Sequence, residues 1–166
     1  MSLEKELIAR FVDALSARKK PDDGLALPGW GISEWELLFT GAHSQELKEG
    51  EILLRKGDTS SDLYFVVDGS LEVSATQADS VSMSPLASIG PGSVVGELAF
   101  LDGLGRSATV WSRGQSILLR LRRHKFQQFM DEHPKLACDL LLAIGRIVAT
   151  RLRKRNGNAQ LNPFGF

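Results

Sequence analysis

A glycine, a glutamate and an arginine stand in one short stretch with the residue types of an anion-binding site. Gly96 and Glu97 follow two valines, and Arg106 comes after a glycine-rich turn. One helical turn is predicted over residues 97–101, and the free N–H groups and dipole at its start attract an anion. The planar fork of an arginine suits phosphate oxygens. The stretch from Gly96 to Val110 therefore predicts a phosphate site.

The charge of the chain limits which phosphate compound fits. The 20 basic and 20 acidic residues cancel, so an anion must be held locally and not by a general positive field. One arginine with N–H donors balances the single negative charge of a cyclic phosphodiester. A nucleoside triphosphate needs more cations, and the Gly-Lys-Ser/Thr sequence of a P-loop does not occur.

Short alternating apolar runs, separated by turn signals, occupy the middle of the chain and predict an all-β unit. About eight strands are expected, which is the number of a jelly roll. The polar, small residues 76–84 are predicted to form a mobile hairpin tip. The predicted strands span residues 43–47, 52–55, 63–68, 70–75, 84–89, 93–95, 107–111 and 116–121.

Helical periodicity flanks these strands on both sides. Ser2 and Ser33 are expected to cap the first two helices, and Pro134 opens the last one at a position where proline is tolerated. The basic last turn, 151–155, suits the dipole at a helix C-terminus. The predicted helices span residues 2–20, 33–39, 123–131 and 134–154.

The predicted fold class is mainly β with flanking α, an eight-stranded jelly-roll β-roll with N-terminal helices and a C-terminal helix pair. Cys138 lies in an apolar helical run and is expected to fill the core. The predicted division is an N-terminal helical segment (1–42), a β-roll (43–122), a helix pair acting as a lid (123–155) and a flexible tail (156–166).

Several motifs of the chain resemble those of a known family, the cyclic-nucleotide-binding domains of bacterial catabolite activators, kinase regulatory subunits and nucleotide-gated channels. The resemblance covers about residues 45–152. Two departures are Gly105, where the family often has proline, and Val95, where phenylalanine is common; neither removes a ligand-binding group. The matching motifs are Gly96-Glu97-Leu98-Ala99 and Arg106-Ser107-Ala108-Thr109-Val110, with Gly50-Glu51, Gly57-Asp58, Leu63-Tyr64, Gly69 and Pro91-Gly92 upstream.

The resemblance implies a role for each residue of this phosphate-binding cassette. Glu97 would accept the ribose 2′-hydroxyl, and Arg106 would pair with the cyclic phosphate. The phosphate shell would be completed by backbone N–H groups and a hydroxyl, and the implied ligand-binding residues are Gly96, Glu97, Leu98, Ala99, Arg106, Ser107 and Ala108.

The resemblance also places base contacts on the helix after the β-roll. Counting along that helix brings Arg151 near the base, with Arg146 one face earlier, and an arginine stacks well on a purine. A solvated basic helix end is the open alternative. We expect cAMP as the ligand. cGMP is the alternative, because in some relatives a hydroxyl at the position of Ser107 can reach the guanine amino group.

The alternatives to this sensor are an interaction module, a metal-dependent enzyme and a DNA-binding protein. A ligand-free, degenerate β-roll acting as an interaction module would pair Glu97 with Arg106, and its terminal helices would bind a second copy or an effector; packing onto the β-roll is favoured for both helices. A metal-dependent cupin enzyme is not expected, because His43, His124 and His133 lack ligand spacing. DNA binding is not expected without a helix-turn-helix after the long helix.

Taken together, these features predict a non-enzymatic cytoplasmic regulatory domain without a cofactor, which switches an attached or partner effector. One cysteine favours a reducing compartment. No signal peptide is recognised, and no apolar run approaches the roughly 20 residues of a membrane span. A homodimer through the terminal helices is an open prediction.

Overall fold

A computed structural model of the chain describes residues 3–18, 24–75 and 85–160, with side chains up to residue 157. The described helices are α1 (Leu3–Ala17), α2 (Ile32–Leu38), α3 (Glu97–Asp102), α4 (Arg123–Glu132) and α5 (Pro134–Gln160). The described strands are β1 (His43–Leu47), β2 (Ile52–Leu54), β3 (Leu63–Asp68), β4 (Leu71–Ser74), β5 (Ala87–Ile89), β6 (Val94–Val95), β7 (Thr109–Ser112) and β8 (Ser116–Leu121). The predicted fold class is confirmed.

The eight strands form two antiparallel four-stranded sheets, ordered β1-β8-β3-β6 and β2-β7-β4-β5. Strand β3 is buried along nearly its whole length because both of its faces are covered. Tyr64 and Val66 point between the sheets, whereas Leu63, Phe65 and Val67 point toward the helices. The alternation of a strand divides its side chains between two cores.

The helices pack on the outer face of the sheet that contains β3, around a cluster of aromatic rings. Phe11 of α1 makes edge contacts with Trp35 and Phe65, at centroid distances of 5.2 and 5.5 Å. Phe126 of α4 and Ile144 of α5 are buried in the same core. The predicted packing of both terminal helices onto the β-roll is therefore confirmed.

Four helix predictions need correction. Helix α1 ends at Ala17 and not at residue 20, since Arg18 already lies outside it. Ser33 is not the cap of α2; Gly31 precedes that helix, and the Glu34 carboxylate accepts a hydrogen bond from the Gly31 N–H at 2.8 Å. Helix α5 continues to Gln160, so residues 156–160 are helical and not loose. Cys138 is exposed, because Ala137 and Leu140 occupy the buried face of the helix. Residues 161–166 lie outside the described residues.

Five strand predictions differ from the structure by one to three residues at an end, and one segment cannot be compared. Strand β7 begins at Thr109 and not at Ser107, because the backbone of Arg106 is already bonded to the turn at residues 57–58. Ser93 stands before β6 in an isolated bridge with Gly24. The predicted hairpin tip at 76–84 lies outside the described residues, and the four-part division of the chain stays a prediction.

Candidate functional site

A cavity of about 230 Å³ lies between α3, the sheet β2-β7-β4-β5 and the C-terminal half of α5. We call it the α3 cavity. One side is apolar and belongs mostly to the sheet, while the other carries the charged groups. Its lining residues are Leu54, Val73, Ala87, Ile89, Val95, Gly96, Glu97, Leu98, Ala99, Arg106, Ser107, Ala108, Val110, Arg151 and Arg155.

Glycine at position 96 is what allows α3 to start beside the arginine. Gly96 has a φ of 85°, in the left-handed region that favours glycine. A Cβ at this position would lie 2.5 Å from Nη1 of Arg106 and 3.0 Å from the carbonyl oxygen of Asp62. Any side chain here would push Arg106 out of its position.

Arg106 is a buried cation that is held by neutral oxygens. Its side chain donates from Nε to Ser60 Oγ at 3.0 Å, from Nη1 to the Gly96 carbonyl at 3.0 Å and from Nη2 to the Asp62 carbonyl at 2.8 Å. The residue is 3% exposed, and no carboxylate of the described residues forms an ion pair with it. Burial lowers the pKa of its guanidinium below the ordinary value.

The backbone of Arg106 is fixed by the turn that follows β2. The Arg106 N–H donates to the Asp58 carbonyl at 2.7 Å, and its carbonyl accepts from the Gly57 N–H at 2.8 Å. The Asp102 carboxylate accepts from the Leu104 N–H at 2.9 Å and closes the turn before the arginine. The turn therefore closes with glycine at position 105.

The orientation of the Asp62 side chain explains why Arg106 has no carboxylate partner. Only its carbonyl reaches Arg106, because its carboxylate faces the other way. Oδ2 accepts from Nε and Nη2 of Arg120 at 2.8 and 2.5 Å, and Oδ1 accepts from the Arg123 N–H at the start of α4 at 3.1 Å. Arg106 thus lines the α3 cavity without an ion pair to the Asp62 carboxylate, although the nearby charges of Asp62, Glu97 and Asp58 still favour its charged form.

Glu97 pairs with α5 and not with Arg106. Its Oε1 lies 2.7 Å from Nη1 of Arg151, and the two side chains are 11% and 23% exposed. Nη2 of Arg151 also donates to Ser93 Oγ at 3.2 Å and to the Val94 carbonyl at 2.9 Å. The Glu97–Arg106 pair expected of a ligand-free module is absent from the described ion pairs. Helix α5 is instead anchored at the cavity by Arg151.

The comparisons with known proteins agree with this geometry. The family model for the cyclic nucleotide-binding domain matches residues 44–133, which is more than half of the chain. The chain belongs to the cyclic nucleotide-binding domain family. The matched residues include the stretch from Gly96 to Val110, whose role as a phosphate-binding cassette stays a prediction.

Individual relatives show how the domain is used elsewhere. The lysophospholipase NTE1 of Cryptococcus neoformans is 31% identical over 114 residues, which are 69% of this chain but 7% of that protein. A cyclic nucleotide-binding domain from Methylobacillus flagellatus has a TM-score of 0.78 at 20% identity, covering 96% of this chain and 87% of that one. The catabolite activator protein of Thermus thermophilus has a TM-score of 0.67 at 25% identity, covering 86% of this chain and 62% of that one.

The structure brings all seven predicted cassette residues to the α3 cavity, together with Arg151. Arg146 is exposed and lines a different surface cavity between α5 and residues 24–26. Sequence reasoning missed Arg155, which reaches the α3 cavity one helical turn after Arg151. It also missed the apolar wall of the sheet, because alternating strand residues do not reveal which sheet face will line a cavity.

Residues 3–18, 24–75 and 85–160 show neither a metal site nor a membrane-spanning helix. No group of three or more His, Cys, Asp or Glu side chains there could hold a metal ion. No helix of this part of the chain combines the length and apolar character needed to cross a bilayer.

Proposed function

We propose that this chain is a sensor domain that binds cAMP in the α3 cavity and reports it through α5. The observation that carries the proposal is Arg106, a cation that is 3% exposed and held by neutral oxygens without a carboxylate. A buried charge without a partner is costly. An anion that binds beside Arg106 would remove that cost, so the site favours a negatively charged ligand.

The ribose and phosphate contacts follow from the two ends of the cassette. Glu97 would accept the ribose 2′-hydroxyl, since a carboxylate has lone pairs left after pairing with Arg151. Arg106 would bind the cyclic phosphate with its remaining donors, helped by the N–H groups of Leu98 and Ala99 in the first turn of α3. Ser107 and Ala108 lie on the same rim. One phosphate charge would match one arginine.

The base would lie against the apolar sheet wall of the α3 cavity. Leu54, Val73 and Val110 on this wall offer no hydrogen bonds to a base edge. Ser107 is the neutral side chain on the lining that offers a hydroxyl. Such a wall favours adenine, because guanine would bury more donors and acceptors without partners. cGMP is the alternative ligand, read by Ser107.

Movement of α5 is the proposed output. The α3 cavity, at about 230 Å³, is smaller than the roughly 300–1,000 Å³ typical of small-molecule sites. Arg151 and Arg155 line it from α5, so a nucleotide would shift this helix as it enters. Coupling of this kind is typically worth about 1–3 kcal/mol. The effector, attached or separate, would respond to the position of α5, and the domain itself would carry out no chemistry.

Calorimetry with three nucleotides tests the proposal. Protein freed of co-purified ligand by unfolding and refolding is titrated with cAMP, cGMP and 5′-AMP. We expect one site per chain, with cAMP bound most tightly and 5′-AMP least, because its phosphate is dianionic and not cyclic. Absence of heat with both cyclic nucleotides would overturn the sensor function, and tighter binding of cGMP would overturn the adenine preference.

A further inference from the structure

The β2–β3 loop, residues 55–62, contacts Arg106 without entering the α3 cavity. Hydrogen bonds join the loop to both the backbone and the guanidinium of this residue. The loop groups that take part are the Gly57 N–H, the Asp58 carbonyl, Ser60 Oγ and the Asp62 carbonyl. None of these loop residues lines the α3 cavity. The loop can therefore influence a ligand in that cavity only through Arg106.

A glycine before the arginine lets the loop approach this closely. A Cβ at Gly105 would lie 3.2 Å from the carbonyl oxygen of Gly57, which is tighter than an ordinary contact. The Gly57 N–H in turn donates to the Arg106 carbonyl at 2.8 Å. Gly105 thus leaves room for the loop, and the loop fixes the backbone of Arg106.

Ser60 is the loop residue that holds the guanidinium with its side chain. Its hydroxyl accepts from Nε of Arg106 at 3.0 Å. The other two acceptors, on Gly96 and Asp62, are backbone carbonyls, which bind Nη1 and Nη2. An arginine has five N–H groups. One N–H on Nη1 and one on Nη2 are therefore left without an acceptor among the described residues.

These contacts assign a role to Ser60. We propose that Ser60 is a positioning residue, whose hydroxyl holds the Arg106 guanidinium so that its remaining N–H groups meet an anion in the α3 cavity. The inference rests on the proposed function, since it takes Arg106 as the residue that binds the phosphate. Without the hydroxyl, Nε loses its acceptor and the side chain gains rotamers that binding must then remove.

Calorimetry with cAMP tests this role. Ser60→Ala is expected to weaken binding about fivefold, which corresponds to the loss of one hydrogen bond. Ser60→Thr keeps a hydroxyl and should stay within twofold of the wild type. Ser61→Ala is the matched control, because Ser61 makes no hydrogen bond to Arg106 in the described part of the chain, and it should also stay within twofold.

Two outcomes of these titrations would overturn the positioning role. One is unchanged affinity in Ser60→Ala, which would mean that water replaces the hydroxyl. The other is an equal loss in Ser61→Ala. A wild-type protein that binds neither cAMP nor cGMP would instead overturn the proposed function.

Nitrogen-15 NMR on the nucleotide-free protein tests the contact without a ligand. The Nε–H signal of Arg106, assigned by its loss in Arg106→Gln, is expected to exchange slowly with solvent, because the residue is 3% exposed and hydrogen-bonded to Ser60. Exchange should be at least tenfold faster in Ser60→Ala and unchanged in Ser60→Thr and Ser61→Ala. Equal exchange in Ser60→Ala and the wild type would overturn the proposal whether or not a nucleotide binds.

A lysine at position 106 separates positioning from a general effect on the fold. Arg106→Lys keeps the charge but has no Nε for Ser60 to hold. Ser60→Ala should therefore cause no further loss of cAMP affinity when it is combined with Arg106→Lys. A fivefold loss in this background too would mean that Ser60 acts independently of Arg106, and the positioning role would be wrong.

Discussion

Arg106 and Arg120 both donate hydrogen bonds to Asp62, but only Arg120 has the carboxylate of that residue as its partner. Arg120 donates to the Asp62 carboxylate, whereas Arg106 donates only to the carbonyl of the same residue. Burial opposes the charge of Arg120 too, but its hydrogen bond to Asp62 and the charges of Tyr64 and Asp62 together outweigh burial, so its pKa is raised. Burial lowers the pKa of Arg106.

The orientation of the Asp62 side chain accounts for this difference. The carboxylate that lies near both arginines is also fixed by the N–H of Arg123 at the start of α4, which keeps it turned toward Arg120. Under the proposed function, Arg120 stabilises the fold through this ion pair, and Arg106, which has no carboxylate within ion-pair distance among the described residues, binds the anion.

The largest expected effect comes from removing the buried charge of Arg106. Arg106→Gln is expected to weaken cAMP binding by about 2–5 kcal/mol, which is at least thirtyfold, because the phosphate loses its buried cation. Arg120→Gln is the matched control and should change affinity less than threefold. Calorimetry compares both variants with the wild type. Equal losses in the two variants would remove the distinction between these arginines.

The ribose contact is expected to give the next largest effect. Glu97→Gln should weaken cAMP binding about tenfold, because the hydrogen bond from a hydroxyl to a carboxylate is stronger than the one to an amide oxygen. The same titrations with 2′-deoxy-cAMP complete a double-mutant cycle. The loss of affinity from Glu97→Gln and the loss from removing the 2′-hydroxyl should not add, because both changes remove the same contact. Fully additive losses would mean that Glu97 acts only through Arg151 and does not contact the ribose.

A smaller effect, on stability and not on affinity, is expected at Asp62. Asp62→Asn keeps the acceptor for Arg123 but removes the charge that balances Arg120. The free energy of unfolding should fall by about 1–2 kcal/mol, since the Arg120 side chain is 37% exposed and solvent screens part of the pair. Urea unfolding measures this change. A rise in stability would contradict the structural role of the pair.

The smallest expected effect on affinity concerns Arg151, whose contribution is to couple the cavity to α5. Arg151→Met should change cAMP affinity less than fivefold, because partly exposed ion pairs contribute about 1 kcal/mol or less. It should also speed amide exchange in the C-terminal half of α5 and make that exchange insensitive to cAMP. Arg146→Met, an exposed arginine of the same helix, is the control. A thirtyfold loss of affinity in Arg151→Met would instead assign the phosphate to α5.

The fold could be predicted where periodicity and turn residues act locally. The bounds of β1, β3 and β8 agree with the prediction because turn residues lie next to each of these strands. Strand β7 starts late because a distant turn at Gly57 binds the backbone of Arg106. The exposure of Cys138 could not be predicted, since both faces of α5 carry apolar residues.

The candidate site divides in the same way. Glu97 and Arg106 could be found from the cassette motif, because their spacing is local. The partner of Glu97 is Arg151, more than fifty positions along the chain, and only the packing of α5 against the sheet brings them within 2.7 Å. The carboxylate of Asp62 and its choice of Arg120 likewise depend on tertiary contacts that no sequence pattern contains.

A crystal structure with cAMP tests the central claim most directly, because three arginines of the α3 cavity compete for the phosphate. The account predicts phosphate oxygens within hydrogen-bonding distance of Arg106, the ribose on Glu97, and α5 displaced from its present contacts. A phosphate bound to Arg151 or Arg155, with Arg106 still held only by Ser60, Gly96 and Asp62, would contradict it.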